Sequence, residues 1–299
     1  MKALSIVVAL ALVAGQSPTF RSSADAVTVD VLATNGNRPL GGLTAADFEV
    51  RDNGVVQSID SVRFEDVPFN LLLALDTSAS VKGEGLRDLQ DAARGAVATL
   101  APVDRVSLLT FSEALGGLPD WAPSQPSLGE SIEAASAAGA TGLYDAAFAA
   151  LLHTDQEPGR RHLVILFTDG HDTASWLPAP AVLDAASHSD AVVYAVTLEE
   201  PTLDMTLELR SGIRLSRNAL LVERKPFLPE LVARTGGDLF VERDSAKLRQ
   251  VFERIVTEFR TRYVLTYRPE GVASGGWHSI DVRLKSVTGT VKARRGYQR

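Results

Sequence analysis

The stretch Phe69–Ser80, FNLLLALDTSAS, constrains this chain more than any other. Phe69 to Leu75 is an almost unbroken apolar run of strand length, as expected of a strand buried on both faces of a parallel sheet. The run stops abruptly at Asp76, and hydroxyls follow at Thr77, Ser78 and Ser80. In an open α/β sheet, ligands bind in the crevice outside the carboxyl ends of the strands. A carboxylate placed there, with hydroxyls at alternate positions, is an all-oxygen set suited to a hard cation such as Mg²⁺.

Asp76-Thr77-Ser78-Ala79-Ser80 resembles the D-x-S-x-S signature of the von Willebrand factor type A domain, where it opens a metal-ion-dependent adhesion site. The resemblance implies two further pieces in order: a Thr in a loop before a helix, then an Asp ending another buried strand. Thr141 in ATGLYDA and Asp169 in HLVILFTDG occupy those places. By this resemblance, Ser78, Ser80 and Thr141 coordinate Mg²⁺ through hydroxyls, while Asp76 and Asp169 act directly or through water. Mn²⁺ or Ca²⁺ could occupy the same set. The six-oxygen demand of Mg²⁺ leaves a position that a partner's carboxylate can complete.

Taken singly, Asp76 could be a helix N-cap, Ser78 and Ser80 loop hydroxyls, and Asp169 a turn-former before Gly170. Their joint occurrence at three strand or loop ends favours the metal. His171 and Asp172, just beyond Asp169, fall at the rim of the expected site as candidate partner contacts; an ordinary polar loop is the plainer alternative. Trp121 and Trp176 flank the same rim, with an edge-hairpin core and a loop anchor as their plain roles. The five histidines form no ligand-spaced pair, and there is no G-x-S-x-G elbow, P-loop or dinucleotide fingerprint.

Around this centre the chain divides into expected segments. Residues 1–26 begin with Lys2 and an apolar core from Ala3 to Ala14, too short to span a bilayer and fitting a signal peptide cleaved after Gly15 or Ala26. Residues 27–67 alternate as β-strands, with Asn53-Gly54 a hairpin signal. Residues 68–260 form the type A domain. Its expected strands are Arg105–Phe111, His162–Thr168, Ala191–Leu198 and Asp238–Val241, besides the Asp76 strand and an edge hairpin over Leu115–Trp121. Its helices fall at Gly85–Leu100, Ser127–Ala138, Leu143–His153, Pro180–Ser187, Pro229–Arg234 and Lys247–Arg260, the last capped by Ser245. Residues 261–299 return to alternating strands at Tyr263–Tyr267, Trp277–Leu284 and Thr290–Ala293. Glu199–Lys225 is long for a βα connection, commonly about 2–6 residues, and has weak alternation at Leu203–Leu209.

The expected fold is therefore α/β: a doubly wound, mostly parallel six-stranded sheet inserted in a β-sandwich made of the N- and C-terminal strands. Neither β segment alone has enough strands to bury a core.

A net charge of −7 argues against nucleic acid or an anionic membrane as partner. The Lys292–Arg295 cluster reads more simply as an outward strand face. The absence of cysteine excludes disulfides, thiolate metal sites and lipidation of a cysteine. No second stretch of membrane length follows the signal. The expected function is that of an exported, non-catalytic protein, periplasmic or secreted, whose Mg²⁺ engages an acidic side chain of a protein partner. A scaffold with metal-rigidified loops is the alternative. A metal-dependent hydrolase using Asp76 or Asp169 lacks a visible general base or nucleophile with an orienting partner.

Overall fold

The computed structural model describes residues 26–299 except 37, 65–66, 124–125, 157–159, 199–206, 209–213 and 216–226. The expected signal peptide, Ala26 apart, and most of the 199–225 connection lie outside the described residues. The N-terminal strands are β1 (Val27–Asn35), β2 (Arg38–Pro39), β3 (Phe48–Asp52), β4 (Val55–Gln57) and β5 (Ile59–Arg63). The α/β elements follow as β6 (Phe69–Asp76), α1 (Glu84–Ala98), β7 (Arg105–Phe111), β8 (Leu115–Gly117), α2 (Pro126–Ala134), α3 (Leu143–Asp155) and β9 (Arg161–Thr168). Next come α4 (Ala179–His188), β10 (Val192–Leu198), the two-residue strands β11 (Leu207–Glu208) and β12 (Arg214–Leu215), α5 (Phe227–Thr235), β13 (Leu239–Glu242) and α6 (Leu248–Arg260). The chain closes with β14 (Tyr263–Tyr267), β15 (Trp277–Leu284), β16 (Thr290–Lys292) and β17 (Gly296–Gln298).

The central sheet has the order β13-β10-β9-β6-β7-β8, parallel except for the antiparallel edge strand β8. Every residue of β6 and β9 is buried, because helices cover both faces. The alternation of a strand assigns each side chain to a face. Phe69, Leu71, Leu73 and Leu75 pack with Leu89 and Ala93 of α1 and with Phe252 and Phe259 of α6. Leu72 and Ala74 pack instead with Ala146 and Ala150 of α3, Val182 of α4 and Leu231 of α5. From β6 the chain winds outward to β7 and β8 in one direction, and from β9 to β10 and β13 in the other. The strand order thus reverses between β6 and β9, which creates a crevice at their carboxyl ends.

The terminal strands form two antiparallel sheets, β16-β1-β14-β5 with β2 attached to β1, and β17-β15-β3-β4. Each mixes strands from both ends of the chain. Val29 and Val31 of β1, Phe48 and Val50 of β3, Tyr263 and Leu265 of β14, and Ile280 of β15 share one apolar cluster. The Asn53-Gly54 turn has φ of 46° and 82°, as a two-residue hairpin of this kind requires.

Several elements differ from expectation, among them the edge hairpin expected over Leu115–Trp121, of which only Leu115–Gly117 is a strand. The helix expected over Ser127–Ala138 ends at Ala134, because the Ala138 N–H is bonded to the Thr77 carbonyl and Gly139 turns at φ 81°. Asp244 rather than Ser245 supplies the cap, its carboxylate accepting from the Ala246 N–H at the start of a 3₁₀ turn, Ser245–Lys247, that leads into α6. The Ser245 hydroxyl instead reaches Asp88 on α1. Strand β17 was not expected. No helix among the described residues is long and apolar enough to cross a membrane.

Candidate metal centre

The crevice between β6 and β9 holds four of the sequence-selected residues on two adjacent strand ends. Asp76 ends β6 with no exposed surface. Its Oδ1 accepts from the Ser78 N–H at 2.8 Å, and its Oδ2 from the Thr168 hydroxyl at 2.8 Å. The Ser78 and Ser80 hydroxyls lie 2.9 Å apart. Ser78 is buried and Ser80 exposed, so the set opens to solvent on one side. Asp169 follows β9 directly, and the Gly170 N–H donates to the Thr168 hydroxyl at 3.1 Å. Gly170 has φ 86°, a left-handed conformation that favours glycine at this turn.

Thr141 comes to the same place through backbone stitching. Its carbonyl accepts from the Thr173 and Ala174 N–H groups at 2.8 and 2.9 Å, and its own N–H donates to the Thr173 hydroxyl at 2.9 Å. That joins the Thr141 loop to the residues just beyond Asp169. The Ala79 N–H to Gly139 carbonyl bond, 3.0 Å, joins it to the Asp76–Ser80 turn. The loops carrying Asp76, Thr141 and Asp169 are therefore one hydrogen-bonded body.

The two rim residues differ. His171 is 73% exposed, with Nδ1 3.6 Å from Asp169 Oδ1 and its N–H bonded to the same oxygen at 3.0 Å. Asp172 is an internal brace, its Oδ1 accepting from the Ser175 hydroxyl and the Tyr144 N–H. Trp121 is half-buried and stacked on His153, with ring centroids 4.6 Å apart. Trp176 is 94% exposed. Sequence reasoning passed over Thr168, which orients Asp76, and Asp145, whose two oxygens accept from the Trp176 and Leu177 N–H groups at 2.9 Å each.

Burial holds the Asp76 carboxyl above its ordinary range; the Ser78 and Thr168 hydrogen bonds pull it down and the nearby Asp169 charge raises it further. Among the described residues, no arginine or lysine pairs with either carboxylate. Two carboxylates with no arginine or lysine partner among the described residues, beside serine and threonine hydroxyls, make a hard-oxygen donor set that fits a divalent cation.

Residues 71–171 match the family model described as von Willebrand factor type A domain, a span that contains all five candidate donors. A solved structure titled von Willebrand factor type A from Catenulispora acidiphila superposes with a TM-score of 0.55 at 12% identity, covering 89% of this chain and 75% of that one. The fold is of the von Willebrand factor type A kind. This chain is also similar to proximal thread matrix protein 1 from the mussel byssus, with a TM-score of 0.51 at 14% identity over 75% of this chain and 50% of that one. A further structure of that mussel protein, described as having a zinc-occupied MIDAS motif, has a TM-score of 0.50 at 15% identity over 69% of this chain and 49% of that one. No curated protein matches the sequence.

Proposed function

We propose that this chain is an exported, non-catalytic binding protein whose type A domain holds a divalent cation and uses it to engage an acidic group of a partner protein. One observation supports this above the others: Asp76, wholly buried, lies beside Asp169, and among the described residues no arginine or lysine balances the pair. Ser78, Ser80, Thr141, Asp76 and Asp169 would hold Mg²⁺, with Mn²⁺ or Ca²⁺ as substitutes. When bound, the cation supplies a Lewis-acidic position to which a carboxylate from outside can add. The chain's own part is to fix the donors. Thr168 and the Ser78 N–H orient Asp76, Gly170 turns the chain after Asp169, and Thr173 carries the Thr141 loop to them. The zinc in the MIDAS motif of the mussel protein supports a metal on this fold.

In the same reading, 27–67 and 261–299 are two halves of one discontinuous β-sandwich, and 68–260 is the type A domain inserted between them. The shared apolar cluster of the terminal strands supports it.

Titration calorimetry with Mg²⁺ and Mn²⁺, paired with thermal melts, tests the metal. A cation that binds only the native state stabilises it by about 2.7 kcal/mol at a hundredfold excess over its dissociation constant. Asp76→Ala should abolish that rise in melting temperature while the protein stays folded. Wild-type protein that binds neither cation at about millimolar concentration, a level far above the dissociation constants of most sensor sites, would refute the metal and the partner reading with it.

A further inference from the structure

We propose that a groove beside the candidate metal centre is the second half of the partner-binding surface, and that it takes an extended segment of a partner protein with an apolar middle and an acidic side chain at each end. The inference rests on the metal reading above for one of those two ends. The groove has a volume of about 1070 Å³, at the upper end of the range typical of ligand sites. It begins at Asp172, Thr173 and Ser175, directly after the Asp169–His171 turn, and its mouth is the segment whose N–H groups bond to Thr141. The groove is thus lined by the same loop that carries Asp169 out of β9.

The walls come from three helices. Tyr144 at the start of α3 and Phe227 at the start of α5 meet edge to face, with ring centroids 4.6 Å apart, and Leu183 of α4 lines the space beside them. The far end is Arg295, in the turn between β16 and β17. The groove therefore runs from the α/β unit onto the terminal sheets. There Glu230 is shared by two guanidinium groups, Arg234 at 2.9 Å and the 65% exposed Arg295 at 3.6 Å. One carboxylate for two cations leaves positive charge at that end. Near the mouth, the Asp172 carboxylate is already bonded to Ser175 and Tyr144. An occupant thus meets positive charge at the far end, apolar walls in the middle and, on the metal reading, a cation at the near end.

Trp176 supplies the anchor. Its loop is clamped through both oxygens of Asp145, yet its side chain remains almost wholly in water; in the chain it stands between Ser175 and Pro178, which line the groove, at the edge of the lining rather than within it. A large aromatic held outward on a rigid loop is the residue type that dominates interface energetics, and the fold does not use it for its own core.

The test uses the whole chain and the synthetic peptide acetyl-Glu-Pro-Leu-Phe-Pro-Glu-amide, with one control carrying Gln for both Glu and another carrying Ser for Leu and Phe. Binding is read by calorimetry in Mg²⁺ and in EDTA, and self-association by sedimentation. The peptide should bind more tightly than either control. Trp176→Ala, at a position too exposed to disturb folding, should weaken it at least about tenfold, the scale of an interface hot spot. Leu183→Glu should do the same, and Arg295→Gln should weaken the peptide but not its Gln control. If Trp176→Ala and Leu183→Glu both bind like wild type, the groove is overturned while metal-dependent binding stands. If binding ignores EDTA and Asp76→Ala but remains sensitive to Trp176, the groove stands and the metal reading falls. A dimer that Trp176→Ala dissociates, without peptide binding, would assign the groove to a second copy and overturn the proposal. Absence of both peptide binding and dimer would overturn it as well.

Discussion

Arg161, the first residue of β9, donates from Nε to Asp30 Oδ1 of β1 at 2.7 Å, with both side chains more than nine-tenths buried. Arg161 also donates to the Phe259 carbonyl at the end of α6 and lies over the Phe259 ring, 4.3 Å from its centroid. Beside it Arg262, with no exposed surface, donates to the Tyr194 hydroxyl at 2.8 Å and to the Gly236 carbonyl at 2.7 Å. The α/β unit and the terminal sheets are therefore joined by a buried polar seam. Arg294–Asp190 and Lys292–Asp238 extend it toward the surface.

Removing one partner of a buried ion pair leaves an uncompensated charge, at a cost of about 3–5 kcal/mol. Asp30→Ala should lower unfolding stability on that scale in urea titrations. Asp30→Leu combined with Arg161→Met should recover most of the loss, since a buried pair replaced by apolar groups is often neutral. Additive losses in the double variant would show that the pair is not coupled.

Gly236 belongs to the same seam. Its φ is 78°, and a Cβ there would stand 2.5 Å from the Arg294 nitrogen. Gly236→Ala combines a left-handed strain with a backbone clash, so it should destabilise by more than about 1 kcal/mol. Thermal melts measure this directly.

Thr168 does not belong to the proposed donors but fixes one of them. Groups that hold a ligand in place typically contribute about 10–100-fold in metal affinity. Thr168→Val should therefore weaken Mg²⁺ binding in calorimetry on that scale without altering the melting temperature in EDTA by a comparable amount.

A second buried network gives a pH dependence. Asp52 of β3, wholly buried, accepts from the Tyr267 and Tyr297 hydroxyls at 3.0 and 2.9 Å and contacts His278 Nδ1 at 2.7 Å. Burial, together with Asp52, pushes Tyr267 up and Tyr297 up to about 12. An acid whose pKa is raised by folding keeps its proton longer in the native state than in the unfolded one. Its contribution is complete below the ordinary tyrosine value near 10 and is lost as pH climbs through the folded value. Urea midpoints should thus fall from about pH 10 upward, and Tyr297→Phe should flatten that fall.

The α/β unit was legible because its central strands are buried on both faces. Arg105–Phe111 is bounded as expected, and the run before Asp169 extends by only one residue, to Arg161. Tyr263–Tyr267 and Trp277–Leu284 are also bounded as expected, although only the second alternates between exposed and buried residues, over its first four positions, while the first is buried on both faces except at Thr266. Strand β17 was not legible, because three residues carry too little pattern. The Asp52 network was invisible for another reason: Asp52 and His278 are 226 positions apart, and neither type is expected wholly buried until its partner is known. At the candidate site, Asp76, Ser78 and Ser80 stood out by spacing. Thr168 read only as a β-branched strand residue, and the exposure of Trp176 follows from the Asp145 clamp, which no local pattern announces.

Strand β5, which leads into the α/β unit, pairs side by side with β14, which leads out of it, and Arg63 lies opposite Val264. Both covalent tethers of the unit thus leave from one line. A force pulling the unit away from the terminal sheets would be divided between two chains in parallel, each loading the same paired strands. The junction would resist as a double-stranded strap, with the Asp30–Arg161 contact lying across it as a lock.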